Sequence, residues 1–307
     1  MCIVCEGKNL EGLEELDCSD CSNIKEIPII IGLKKLNCSS CSLLTSIPNI
    51  TGLGELNCSW CPNIKTISNI IGLEKLYCTG CSLLISIPNI TGMEELNCSG
   101  CENIITIPNI TGLKRLYCTN YPLLTSIPVI NGLKKLYCCD CPLLTSIPCI
   151  TDLEELNCSD SPLLTSIPVI NGLEELDCSG CPNITSIPVI NGLGGLYCSG
   201  CSLLTSIPNI VGLQELDCSS CTLLTSIPVL IGQQILYCYN CHWLPQSPDN
   251  KILLGLKLQS WIRKNYRYFV FQRWIKSREG REFLYDPKRI GSRVEISRMI
   301  RVLECII

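Results

Sequence analysis

Only 17% of the 307 residues are charged, below the usual quarter of a globular chain. With 46% hydrophobic residues, this excludes the highly charged, apolar-poor composition of a disordered chain. Long apolar runs are also missing. The best, Ile27 to Ile31, is broken by Pro28 and falls far short of the ~20 residues of a membrane-spanning helix. The opening Met1-Cys2-Ile3-Val4-Cys5-Glu6 has no basic segment ahead of an apolar stretch, so no secretory signal is expected. Histidine occurs once, at His242. What the chain has in excess is cysteine, 27 residues, an odd number that rules out complete internal pairing. That density approaches the ~8–10% of disulfide scaffolds, but those are short exported chains.

The cysteines are periodic. From Gly12 the sequence repeats every 20 residues, as in Gly132-Leu133-Lys134-Lys135-Leu136-Tyr137-Cys138. One column is cysteine in all twelve units, Cys18 to Cys238. A second column, three residues on, is cysteine in ten, Cys21 to Cys241, with Tyr121 and Ser161 as the departures. Columns of leucine (Leu16 to Leu236), isoleucine (Ile27 to Ile227) and proline (Pro28, Pro48, Pro88 onward) share the register. Twenty-two cysteines therefore have one common explanation. Cys2, Cys5, Cys139, Cys149 and Cys305 stand outside it.

The unit Leu33-x-x-Leu36-x-Cys38-x-x-Cys41-x-x-Leu44-x-x-Ile47-Pro48 resembles the leucine-rich repeat, over about residues 1–248. The short period is similar to that of leucine-rich effectors of bacterial pathogens. The Cys-rich, Ile-Pro form resembles leucine-rich repeat proteins of giant DNA viruses. The departure is cysteine at a strand position where the family usually has leucine. The resemblance implies an α/β-class solenoid: parallel β-strands on a concave face, an extended and turn-rich convex side, and a short α-helical C-terminal region at 249–307.

The residues give the same reading. Leu16 and Cys18 alternate with Asp17 and Ser19, the period of a half-buried strand. Twenty residues cannot bury an apolar face alone, whereas stacked copies share one core. Cysteine is small and among the most buried residue types, so a column of it suits a narrow interior. The second cysteine is expected to turn inward and bond backbone groups in the bend after the strand. Glycine at the start of each unit permits a positive φ, and proline stiffens the return segment.

Ten Cys-x-x-Cys pairs would elsewhere suggest zinc or redox chemistry. No histidine column accompanies them, and Tyr121 and Ser161 interrupt a column whose other residues persist. Packing tolerates that and a four-ligand site does not, so no metal, cofactor or catalytic residue is expected. The stacked thiols are expected to stay reduced in a cytosolic setting. Cys139, placed by alternation on the exposed strand face, reads first as a chance Ser-to-Cys substitution, with a reactive thiol as the alternative. Eight Asn-x-Ser/Thr triplets, such as Asn37-Cys38-Ser39, fall out of the repeat columns and are discounted as glycosylation sites.

Residues alternating with the buried columns form the surface that could recognise something. One column runs Glu15, Lys35, Glu55, Lys75, Glu95, Arg115, Lys135, Glu155, Glu175, Gly195, Glu215. The next mixes Asn and Asp with Tyr77, Tyr117, Tyr137, Tyr197 and Tyr237. A basic-aromatic patch centres on Arg115, Tyr117, Lys135 and Tyr137. Together with Tyr77, Tyr197 and Tyr237 these are the candidate partner-binding residues, since solenoids bind through their extended faces and tyrosine is favoured at interfaces. Twelve strands about 4.8 Å apart span roughly 55 Å, enough for a protein partner.

Beyond Pro248 the composition changes. Residues 242–307 hold 14 Lys+Arg against 6 Asp+Glu (+8), while residues 1–241 hold 10 against 22 (−12). A helix is expected over about 250–277, and a second after the capping box Ser292-Arg293-Val294-Glu295. This region reads as a cap over the open solenoid end. It also suits a module for nucleic acid or an anionic surface, and Leu258-Gln259-x-x-x-Arg263 resembles the opening of a calmodulin-binding IQ motif. The expected role is non-enzymatic protein binding by a cytoplasmic monomer, in the host cytoplasm if the source is viral. The alternative is substrate recognition for a ubiquitin ligase. The repeats leave a 66-residue tail, too short for the catalytic domain of bacterial leucine-rich ligases.

Overall fold

The computed structural model describes residues 2–227 and 235–241. His242, the expected boundary at 248, the two expected helices and the Leu258–Arg263 motif lie outside the described residues.

Each 20-residue unit forms one coil, and the coils stack into a solenoid. Three-residue strands, from Glu15–Asp17 to Ile235–Tyr237, build a twelve-stranded, all-parallel sheet in strict chain order. The register matches residue i with i+20, so Leu16 lies beside Leu36, and Leu116 beside Leu136. A parallel pair in register presents like to like, so the sequence columns become physical columns. Beyond the strand the ladder continues: the N–H of Cys18 donates to the Asn37 carbonyl at 2.8 Å, and that of Asp20 to Ser39 at 2.8 Å.

The return segment obeys a different period. Cys41, Leu44, Ile47, Ile50 and Leu53 are all buried, with both residues between each pair outside the core. A repeat of three is that of polyproline II, neither strand nor α-helix, and it accommodates the proline column. Two turns frame it. The Leu44 N–H bonds the Cys41 carbonyl at 3.1 Å, and the Leu53 N–H the Ile50 carbonyl at 3.2 Å. In the second turn Gly52, at the third position, has φ of 83°, which type II geometry demands. On this side the sequence reading missed a short parallel pair, Ser46–Ile47 with Thr66–Ile67.

Between the two cysteines of each unit sits a left-handed residue, among them Asp20, Ser40, Gly100 and Asn120. That bend aims the second cysteine inward, as expected. The thiols of Cys41, Cys61, Cys81, Cys101, Cys181, Cys201, Cys221 and Cys241 donate to the carbonyl 23 residues earlier, at 3.0–3.2 Å. Cys141 does so at 3.5 Å. Tyr121 makes the same bond to Cys98 with its hydroxyl, at 2.5 Å. Ser161 is too short and bonds Ser159 within its own coil, at 3.4 Å. The cysteine columns thus fill volume and also satisfy the carbonyls that end each strand.

Candidate recognition surface

The open face of the sheet carries two columns of side chains flanking the buried leucines. In the column next to the cysteines, the asparagines and aspartates turn on their own backbone. Asn37, Asn57, Asn97, Asn157, Asp17, Asp177 and Asp217 each accept the N–H of the serine two residues on, at 2.9–3.2 Å. These are Asx turns that start the bend after the strand. They also explain why Asn-Cys-Ser recurs.

A tyrosine cannot make that turn, so each one sacrifices a local hydrogen bond. Tyr77, Tyr117, Tyr137, Tyr197 and Tyr237 are all half-buried. The Tyr117 and Tyr137 rings stack with centroids 4.7 Å apart and planes 8° from parallel. The Tyr137 hydroxyl donates to Glu155, eighteen residues on. Tyr77 and Tyr197 have the carboxylates of Glu95 and Glu215 nearby. Burial, then the nearby carboxylates Glu95 and Glu55, push the Tyr77 hydroxyl up to about 12. Burial and the nearby Glu215 carboxylate push Tyr197 up to about 12. The Tyr137 hydroxyl rises for the same two reasons, with Glu155 as partner. The Tyr197 ring lies over Gly195, where a Cβ would come within 3.3 Å of it.

The cations of the face are paired. Both Nε and Nη2 of Arg115 bond the Glu95 Oε2, at 3.0 and 2.7 Å. Lys135 Nζ lies 2.7 Å from Glu155, and Lys134 Nζ 2.8 Å from Glu154. Burial raises the Glu155 carboxyl, but Lys135 and the Tyr137 hydroxyl outweigh it and hold the group below the usual carboxylate range. The centre of the face is therefore a neutral network, Glu95–Arg115 beside Lys135–Glu155–Tyr137, around one aromatic stack. The sequence places these residues together correctly, but their net charge only emerges from the pairing. Glu175, by contrast, is raised by burial and by the charges of Glu155 and Asp177.

Cys139 differs from expectation. It is half-buried, and burial followed by the Asp140 charge raises its thiol above the ordinary range. Strand alternation stops at Tyr137, so it does not govern residue 139. Among the described residues the exposed thiol is Cys149, on the return side. Maleimide at neutral pH is expected to label Cys149 first and Cys139 at least several-fold more slowly, because only thiolate reacts. Time-resolved peptide mass spectrometry reads both. Equal rates would contradict the burial of Cys139.

One cluster was missed from sequence. The sulfurs of Cys2, Cys5 and Cys21 all lie within 4.8 Å of one another. The available signal was a Cys-x-x-Cys pair outside the repeat register.

Among the described residues no helix is long and apolar enough to cross a membrane. The family model for the leucine-rich repeat matches residues 212–233. No curated protein matches the chain. The match spans one unit and its neighbour's start, and the solenoid repeats that unit in register through twelve strands, the architecture of a leucine-rich repeat solenoid.

Proposed function

We propose that this protein is a non-enzymatic recognition scaffold whose protein partner docks on the open face around Tyr117 and Tyr137. Leucine-rich repeat solenoids generally serve as protein-interaction scaffolds. One observation carries the location: five coils replace a stabilising Asx turn with a tyrosine held half-exposed by its neighbours. Tyrosine presents a large, rigid, amphipathic surface with two torsions to order, which suits it to anchor an interface. The carboxylate bonded to Tyr137 and the stacking of its ring on Tyr117 orient these two rings before any partner arrives, lowering the ordering cost of binding.

The partner we favour presents a hydrogen-bonding, aromatic-tolerant surface and no strong field of either sign, because the central cations are already neutralised. Lys75 and Lys35 face Glu55 and Glu15 at 4.0 and 3.2 Å in the same manner. A cytoplasmic location is part of this reading, since so dense a set of thiols suits a reducing compartment. Affinity capture with the full chain tests the site. A partner retained by the wild type is expected to be lost from Tyr117→Ala/Tyr137→Ala, with affinity falling roughly 30-fold or more, as for interface hot spots. Retention by that variant, with loss on truncation at Pro248, would move recognition to the basic tail.

A further inference from the structure

The second-column thiols of later coils each reach the carbonyl of the strand end in the coil before. Cys21 belongs to the first coil and has no such carbonyl to face. Residues 2–8 lie there instead. They curl into one turn, with the Glu6 N–H bonding the Cys2 carbonyl at 3.1 Å, Gly7 bonding Val4 at 3.2 Å and Lys8 bonding Ile3 at 3.3 Å. Gly7, at φ 63°, completes the reversal. Cys2, Ile3, Val4 and Cys5 pack half-buried against the end of the core. The turn sets Cys2 and Cys5 on the side facing Cys21, whose own residue is buried.

We propose that Cys2, Cys5 and Cys21 form a zinc site that fastens this N-terminal turn onto the end of the solenoid. Three thiol sulfurs mutually within 4.8 Å, with Cys5 and Cys21 at 3.5 Å, match the spacing of ligands around one tetrahedral ion. Zinc–sulfur bonds of about 2.3 Å place tetrahedral sulfurs roughly 3.8 Å apart. Two thiols suffice for a disulfide; the convergence of a third points to a metal. Binding releases the three thiol protons to solvent and leaves the fourth position to water. Soft thiolates favour zinc or copper(I) over magnesium or calcium.

The site answers a problem of the fold. A stack of coils leaves its first coil with an uncovered core, and the turn that covers it here is only seven residues long. An ion gripping both the turn and the coil ties the two together directly, beyond what their packing supplies. The inference is independent of the recognition reading, since the zinc cluster sits at the solenoid's end and the tyrosines on its sheet face.

The test uses the full reduced chain, zinc ion as titrant and cobalt(II) as a spectroscopic substitute. Wild type is expected to retain one zinc equivalent through desalting. Its cobalt form should show thiolate-to-metal charge transfer with d–d bands of tetrahedral intensity. Cys2→Ser and Cys5→Ser, both ahead of the first strand, should each lose the retained zinc while keeping the wild-type circular dichroism. Cys139→Ser should bind like wild type. Zinc should also slow alkylation of Cys2 and Cys5 at least tenfold. No retained zinc, retention unchanged in both serine variants, or a Cys5–Cys21 disulfide in the freshly reduced and desalted chain would each overturn the proposal.

Discussion

Tyr121→Ala is expected to destabilise the solenoid by about 3–5 kcal/mol, the range for removing a large aromatic from a packed core. Tyr121 stands alone among the second-column residues in carrying a ring, and it is fully buried, the largest such side chain of the core. Its hydroxyl donates to the Cys98 carbonyl, continuing the thiol ladder across the one coil where a tyrosine interrupts it. Truncation therefore opens a cavity and removes the donor together. Tyr121→Phe separates the two effects. It keeps most of the ring and strips the hydroxyl, leaving a buried carbonyl without that donor, at a cost of about 1–3 kcal/mol. Tyr121→Cys restores the column's own residue and a thiol donor but not the volume, so it should fall between Phe and Ala. Urea denaturation with hydrogen exchange on the flanking coils reads the series. Coils touch only their neighbours, so the damage should appear first in strands Glu95–Asn97 to Lys135–Tyr137. An alanine variant within about 1 kcal/mol of wild type would mean the ring is dispensable to the core, and the account of Tyr121 would fail.

The second large effect compares neighbours on one strand. Leu136→Ala is expected to cost about 2–5 kcal/mol, whereas Lys135→Ala should cost under about 1 kcal/mol. Leu136 is wholly buried, with Leu116 and Leu156 stacked on either side. Its truncation leaves a void bounded by two rungs that are themselves fixed by the ladder. Lys135 holds Glu155 at 2.7 Å, but its side chain is 42% exposed, so water screens the pair and competes for both ends. The urea midpoints of the two variants decide it. Comparable losses would mean that the ion pairs, and not the buried columns, hold the coils together. The same Lys135→Ala change should nonetheless alter the recognition face, because it removes one of the two partners of Glu155.

Both expectations follow from a sheet whose strands pair residues 20 apart. Each coil repeats the previous one, so a local error is neither diluted by distant contacts nor repaired by them. The thiol ladder illustrates the economy of this plan. A cysteine is small enough to line a narrow core, and its sulfur still reaches the carbonyl of the coil before. The first coil, with no coil before it to receive its thiol, is where the ladder changes role.

The sequence alone determined the period, the parallel in-register stacking and the membership of the buried columns. The reason is that in-register repeats pair residue i with i+20, so a column read down the page is a column in space. It also identified the Tyr117–Tyr137 neighbourhood, because strand alternation fixes which side chains share a face. Only the tertiary structure decided how neighbouring side chains meet across coils: Arg115 with Glu95, Tyr137 with Glu155, and one tyrosine ring over the next. Those partnerships turned an apparently basic patch into a neutral one. It also separated the Asx turns from the tyrosines, which share a column but not a task. The return segment's period of three and the half-burial of Cys139 both lie past the strand's end, where alternation no longer predicts direction. The convergence of Cys2 and Cys5 on Cys21 depends on a turn that precedes the first repeat and follows none of its rules. Periodicity carries information only where the chain repeats, and the places it left open are those where the repeat begins, bends or is broken by a tyrosine.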